Sequence, residues 1–156
     1  MDKEQIKNLI KDLIEKTTVK TSEIYVIEND SENMWFAVTT DEPHFFTERG
    51  GEALGALNHL VKRIIESKTA GEESPKNSII IDINGFQKKR VEDVRAIAHM
   101  MGERARHFKA NIEVDPMTAF ERRIVHEFLA DSTDLKTESM GFGPTRRVVI
   151  KYTGAL

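Results

Sequence analysis

An arginine and a histidine four residues apart, Arg122 and His126, are the pair of side chains in this sequence best spaced for chemistry. On a helix, residues four apart lie one above the other, so the pair would present a compact cluster of hydrogen-bond donors. Such a cluster can bind an anion, and the backbone of a nucleic acid is the obvious candidate. The alternative interpretation is that both side chains are simply solvated on the surface or pair with neighbouring acidic residues.

The apolar residues around the pair predict the helix that positions it. Five of them fall within one half of the helix circumference: Phe120, Ile124, Val125, Phe128 and Leu129. Arg122 and His126 lie outside that half. Thr118 followed by Glu121 is a capping-box pattern, so we expect the helix to begin at Thr118.

The composition excludes several classes of protein. With 156 residues, 39% hydrophobic and 31% charged, the chain suits one or two small folded domains. The absence of cysteine excludes disulfides, thiol nucleophiles and cysteine-ligated metal sites. The N-terminus does not resemble a signal peptide, and no apolar run approaches the ~20 residues of a membrane span. We therefore predict a cytoplasmic protein.

Charge is distributed unevenly along the chain. Residues 1–85 hold 10 basic and 16 acidic side chains, a net charge of −6, whereas residues 86–156 hold 13 and 10, a net charge of +3. Attraction for phosphate is therefore expected mainly in the C-terminal half.

Hydrophobic periodicity predicts a small α+β arrangement in the N-terminal half. The predicted elements are a helix over 3–16, strands over 24–27 and 35–39 forming a hairpin, a helix over 51–66 and a buried strand over 79–83. Polar loops are predicted at 28–33 and 67–77. One layer of helices would cover one face of the sheet.

The C-terminal half is predicted to open with a long basic helix. The elements expected after that helix, over 88–109, are a short strand over 112–114, the helix that begins at Thr118, and a hairpin of 135–140 with 146–152. Phe142, between two glycines in the hairpin loop, has two interpretations. It offers a face for base stacking, or it folds back onto the core.

The residues around Arg122 and His126 resemble the R-three-H domain, a single-stranded nucleic-acid-binding module named for its Arg-x-x-x-His signature. The matching stretches are Met117 through Glu121-Arg122-Arg123-Ile124-Val125-His126, then Thr137-Glu138-Ser139, then Gly143-Pro144-Thr145-Arg146-Arg147-Val148-Val149-Ile150. Upstream, Gly85-Phe86-Gln87-Lys88-Lys89-Arg90 and Gly51-Glu52-Ala53-Leu54-Gly55-Ala56-Leu57 resemble the bacterial Jag family, also called SpoIIIJ-associated or KhpB proteins.

The resemblance implies an α+β fold of two small modules joined by a long basic helix. A bacterial-type KH-like domain would cover 1–85, the connecting helix 86–110, and the R-three-H domain 111–156. Jag proteins usually carry a further N-terminal domain, which we do not expect within these 156 residues.

The implied ligand is single-stranded RNA, with single-stranded DNA as an alternative. Arg122 and His126 are carried over as the signature pair, supported by Arg123, Arg146 and Arg147. Because neighbouring residues of a strand point to opposite faces, only one of the last two can face the same ligand as Arg122. Which one does so stays open.

The KH-like half offers a second candidate anion site. KH domains hold nucleic acid at a Gly-x-x-Gly loop, where glycines let the backbone approach phosphate. Here Glu48 stands where the first glycine should be, so the loop is degenerate, although Arg49, Gly50 and Gly51 could partly compensate. The alternative is a simple turn before a helix.

A basic run opens the long helix and is also a candidate for phosphate contact. It consists of Lys88, Lys89 and Arg90. A charge run of this kind is more often a solvated helix face.

No motif predicts catalysis, a cofactor or a metal site. The five histidines show no ligand spacing, and neither a phosphate-binding P-loop nor a Gly-x-Ser-x-Gly motif is present. The family resemblance implies a role in cell elongation or division and a small KH-domain protein as partner. The competing hypothesis is a protein-interaction module with a degenerate KH domain and weak or no nucleic-acid binding.

Overall fold

The computed structural model describes residues 1–27, 33–70 and 78–154. The chain divides into two compact units, Met1–Lys88 and Lys89–Leu156. Each unit contains its own three-stranded sheet, which confirms the predicted mixed α+β class. Most of the two predicted polar loops, at 28–33 and 67–77, lies outside the described residues.

The first unit follows the predicted order of helix, strand, strand, helix, strand. Its elements are α1 (Lys3–Glu15), β1 (Thr21–Ile27), β2 (Asn33–Thr40), α2 (His44–Lys68) and β3 (Ser78–Ile83). The strands are arranged β1-β2-β3, with β1 antiparallel and β3 parallel to β2. Alternate residues of the strands pack with α1 and α2 to form the core, including Ile10, Phe36, Leu54, Val61 and Ile81.

Helix α2 is broken near its start. Glu48, Arg49, Gly50 and Gly51 have non-helical backbone angles, and the last three have φ values of 52°, 70° and 82°. At Gly51 a side chain would meet an aromatic ring, because an added Cβ would lie 2.6 Å from Cε1 of Phe86. The turn of helix before the break, from His44, was missed in the sequence because it is too short to show a period.

The second unit is a helix-covered antiparallel sheet. Its elements are α3 (Phe86–Phe108, which starts in the first unit), β4 (Ile112–Glu113), α4 (Ala119–Leu129), β5 (Leu135–Met140) and β6 (Arg147–Tyr152), with a 3-10 turn at Gly143–Thr145. The strands are arranged β4-β6-β5. Helix α4 packs on β5 and β6, and Val125, Val148 and Ile150 between them are fully buried.

The predicted start of α4 is confirmed. Thr118 is the N-cap, its hydroxyl accepts a hydrogen bond from the Glu121 backbone N–H at 3.3 Å, and the Glu121 carboxylate accepts one from the Thr118 N–H at 2.8 Å. The second oxygen of that buried carboxylate accepts a 2.5 Å hydrogen bond from Nε of Arg90 on α3. One side chain therefore caps α4 and ties it to α3.

None of the helices in the described residues combines the length and apolar character needed to cross a membrane.

Candidate nucleic-acid interface

Arg122 and His126 are both half-buried, one turn apart on α4, at the edge of the helix face that carries the buried Ile124 and Val125. Nη1 of Arg122 donates a 2.8 Å hydrogen bond to the carbonyl of Met117, just before the helix. The His126 ring lies over β5, with Nδ1 2.7 Å from the hydroxyl of Thr137. Both side chains are therefore held in place by the fold before any ligand binds.

Burial and charge both act on the His126 ring. Desolvation lowers its pKa below the usual 6.5, and the positive charge of Arg122 lowers it further. At neutral pH the imidazole is therefore uncharged, so one ring nitrogen carries a proton and the other a lone pair.

Arg146 reaches the same side of the sheet from the hairpin loop. Its Nε donates to the hydroxyl of Ser139 at 3.0 Å, and its Nη1 donates to the carbonyl of Gly141 at 3.0 Å. Ser139 lies two residues after Thr137 on β5, so the two hydroxyls share a face and are spaced on the order of 7 Å.

The backbone links the two arginines directly. The N–H of Met117 donates to the carbonyl of Arg146 at 3.2 Å, and the carbonyl of Met117 accepts from Arg122. The start of α4 and the hairpin loop therefore meet. We call the line formed by Arg122, His126, Thr137, Ser139 and Arg146 the polar track.

Arg147 points to the opposite face of the sheet. Its Nη1 lies 3.2 Å from the Glu113 carboxylate, and its Nε donates to the carbonyl of Thr145 at 3.3 Å. Lys151 and Glu138 form a further ion pair on that face. Of the two adjacent arginines, Arg146 is thus the one on the side of Arg122, which the strand alternation alone left open.

Arg123 does not join the polar track. Its side chain is 48% exposed, and Nε lies 3.3 Å from the carboxylate of Glu127 one turn further along α4. An exposed pair of this kind contributes little to stability, but it offsets the charge of the arginine.

The basic residues at the start of α3 contact different partners. Arg90 is tied to Glu121, and Nζ of Lys89 lies 3.9 Å from Asp93. Asp82, buried at the end of β3, accepts hydrogen bonds from the backbone N–H groups of Gln87 and Lys88, and its pKa is nevertheless raised by desolvation. The first helical N–H groups there are already satisfied by a carboxylate.

The candidate loop in the first unit is exposed at Arg49 and Gly50, whereas Gly51 is buried against Phe86. Glu48 is also exposed. The break in α2 thus presents one cation and one anion side by side, before the helix restarts at Glu52.

No role was predicted from the sequence for the two hydroxyls of the polar track or for the carbonyl of Met117. Thr137 and Ser139 occupy alternate positions of a strand that was predicted, so their shared face could have been read from the sequence. Their contact with His126 and Arg146 could not, because it depends on how α4 and the loop pack on β5.

Within the described ranges, no group of three or more histidine and acidic side chains is arranged to hold a metal ion.

Comparison with known families identifies the second unit. Residues 92–152, from within α3 to the end of β6, match the family model of the R-three-H domain. This segment is an R-three-H domain. It contains the whole polar track.

Three relatives extend the similarity beyond the R-three-H domain. RNA-binding protein KhpB of Bacillus subtilis (strain 168) is 23% identical over 128 residues, which cover 81% of this chain and 60% of the relative. KhpB of Clostridium symbiosum is 25% identical over 110 residues, 70% and 48% of the two chains. KhpB of Lactiplantibacillus plantarum is 24% identical over 100 residues, 64% and 30%.

The chain is therefore a distant homologue of KhpB over most of its length. It spans between 30 and 60% of the length of these three relatives. Their names describe RNA-binding proteins and no enzymatic activity.

Proposed function

We propose that this protein binds single-stranded RNA through phosphate contacts made by Arg122, His126 and Arg146 of the R-three-H domain. The observation that carries the proposal is the kind of partner that the two guanidinium groups have. Arg122 donates to a carbonyl, and Arg146 donates to a hydroxyl and a carbonyl. Neutral partners leave the positive charge of each arginine available to an anion.

The contrast with four other arginines of the domain strengthens this choice. Within the described part of the chain, carboxylates lie within ion-pair distance of Arg90, Arg106, Arg123 and Arg147. A bound phosphate would have to compete with those carboxylates. Arg123 and Arg147 are therefore proposed to support binding only through their general attraction for the nucleic acid.

The mechanism is anchoring rather than catalysis. A guanidinium has several N–H donors in a fixed fork, so Arg122 and Arg146 can keep their contacts with the protein and still donate to phosphate oxygens. The neutral His126 can donate a further hydrogen bond. Because the side chains are held before binding, little conformational entropy is lost when the strand docks.

The test is the affinity of the full chain for single-stranded and duplex RNA of equal length, measured at two salt concentrations. Replacing Arg122→Ala together with His126→Ala should weaken single-strand binding about tenfold or more, since one charged and one neutral hydrogen-bond partner are lost. Lys136→Ala is the matched control, because it removes one positive charge from the opposite face of β5. If the double variant binds as tightly as the control, the site is wrong.

We also propose the loop of Arg49, Gly50 and Gly51 as a second and weaker anion site in a KH-like first unit, and Lys88 and Lys89 at the start of α3 as further phosphate contacts. The exposed Glu48 opposes phosphate there. Glu48→Gly should therefore strengthen RNA binding, and Glu48→Gln should give part of the gain. Unchanged affinity in both variants would remove the loop from the site.

A protein-interaction role for the first unit is the alternative. It is favoured by the net charge of −6 over residues 1–85, which repels nucleic acid. The Jag resemblance further implies a small KH-domain partner and a role in cell elongation or division, and the location predicted from the sequence is cytoplasmic. A pull-down with that class of partner that survives both RNase treatment and the Arg122/His126 double substitution would support this alternative.

A further inference from the structure

The loop between β5 and β6 carries an aromatic ring that the fold leaves in solvent. Phe142 is 89% exposed, the highest value among the large hydrophobic side chains of the described residues. An isolated exposed hydrophobic residue is ordinary on a protein surface. Phe142 differs from such a residue in two ways: its backbone is held in a defined turn, and it follows the polar track in the chain.

Hydrogen bonds hold the backbone of this loop in a defined turn, so Phe142 is exposed by the conformation of the turn itself. The carbonyl of Phe142 accepts hydrogen bonds from the backbone N–H and the hydroxyl of Thr145, at 3.2 and 2.8 Å. Gly141 and Gly143 on either side have φ values of 94° and 54°, a region that favours glycine. Phe142 itself is extended, so its side chain projects from a turn whose backbone is already set.

The ring follows directly on the polar track. Along β5 the chain passes the partner of His126, Thr137, then the partner of Arg146, Ser139. The next residue on that face of the chain is Gly141, whose carbonyl also accepts from Arg146. Phe142 is the next residue after Gly141, whose positive φ ends the strand alternation, so the aromatic residue directly follows the carbonyl that Arg146 contacts at the end of the polar track.

We propose that Phe142 stacks on an unpaired base of the strand whose phosphates are held by Arg122 and Arg146. The inference rests on the proposed function and adds the source of its preference for single strands. In a duplex the faces of each base are covered by its neighbours, whereas a single strand can offer a face to an aromatic ring. A phenyl ring has no hydrogen-bonding group, so it would accept any base.

The experiment compares three oligomers of equal length and charge: single-stranded RNA, an abasic ribose-phosphate strand, and duplex RNA. Phe142→Ala should weaken binding of the single strand by roughly 5- to 150-fold, the range for loss of one stacked base. Binding of the abasic strand and of the duplex should change less than about twofold, because neither offers a free base. Phe142→Trp should retain the affinity, and Phe142→Leu should not.

Phe108→Ala is the matched control, since Phe108 is 64% exposed and lies at the far end of α3. The proposal is overturned if Phe142→Ala binds the single strand like this control, if all three oligomers weaken equally, or if the leucine variant binds like the tryptophan variant. Thermal unfolding of each variant checks that the fold is intact.

The two proposals fail in different ways. If the Arg122/His126 double variant loses affinity and Phe142→Ala does not, only the stacking inference is wrong. If the unmodified chain does not bind single-stranded RNA, or if the double variant binds normally, the proposed function is wrong and the inference is overturned with it.

Discussion

Two adjacent arginines, Arg146 at the end of the hairpin loop and Arg147 at the start of β6, have opposite environments in this domain. Arg146 lies beside the hydroxyl of Ser139, whereas Arg147 lies beside the carboxylate of Glu113. The period of two in a strand predicts that they diverge, but it cannot say which one meets α4. That choice is made by the pairing of β5 with β6 and by the contact of Met117 with Arg146, both of them tertiary.

The first prediction compares these two residues. Arg146→Ala should weaken single-stranded RNA binding about tenfold, a loss typical of a charge-assisted hydrogen bond, whereas Arg147→Ala should change it less than about twofold. Affinity measurements on both variants at one salt concentration test the difference. Equal losses would mean that the strand is attracted by overall charge and not by the polar track.

The second prediction concerns the pH dependence of binding through His126. Its pKa is lowered in the free protein by burial and by Arg122, so the ring is neutral at pH 7. A phosphate bound beside it would favour the charged ring and raise this pKa, so the complex would take up a proton that the free protein does not hold. Affinity should therefore rise as the pH falls below the usual histidine pKa of 6.5.

The control for this prediction is His126→Gln, which keeps a polar group near Thr137 but cannot ionise. Its affinity should lack the pH-dependent part that comes from this ring, measured at constant ionic strength. The same lowered pKa makes the unliganded protein lose stability as the pH falls through the folded pKa of His126, because the unfolded chain binds the proton more tightly. An identical pH dependence in both proteins would contradict the role of His126.

At the scale of elements, the sequence predicted the features that depend on residues a few positions apart. The capping box of Thr118 and Glu121 spans three residues, and it was predicted correctly. The contact of Glu121 with Arg90 spans 31 residues, and no local pattern contains it. Arg106 is a similar case, because its Nε lies 2.7 Å from Asp134 after α4, which raises the pKa of the arginine and lowers that of the aspartate.

The third prediction uses two glycines of α2. Gly51 has a positive φ, and an added Cβ would press on Phe86, so Gly51→Ala should lower the free energy of unfolding by about 2 kcal/mol. Gly55 is helical in the same α2 and has no atom near its missing side chain. Gly55→Ala should therefore raise the free energy of unfolding by about 0.5 to 1 kcal/mol. Urea denaturation of the two variants should show opposite shifts.

At the scale of the whole molecule, the order of elements and the division of charge were accessible from the sequence. The positions of the cations without a carboxylate partner were not, because several basic residues that looked available, such as Arg90 and Arg147, form ion pairs in the fold. Arg90 and Arg106 join α3 to the rest of the R-three-H domain and are part of its stability. A count of Lys and Arg residues therefore overestimates the phosphate-binding surface.

The last prediction follows from that reduced count. For single strands, the logarithm of the binding constant falls with the logarithm of the salt concentration by about 0.7 for each phosphate neutralised. Two contacts, at Arg122 and Arg146, give a slope of about −1.4, and two more in the first unit would give about −2.8. Between about 50 and 200 mM salt the affinity should then fall roughly 7- to 50-fold, far less than for proteins with many phosphate contacts.

Arg122→Ala should reduce the slope by about 0.7, and Arg147→Ala should leave it unchanged. A slope steeper than about −4 would mean that basic residues beyond these four also contact phosphate.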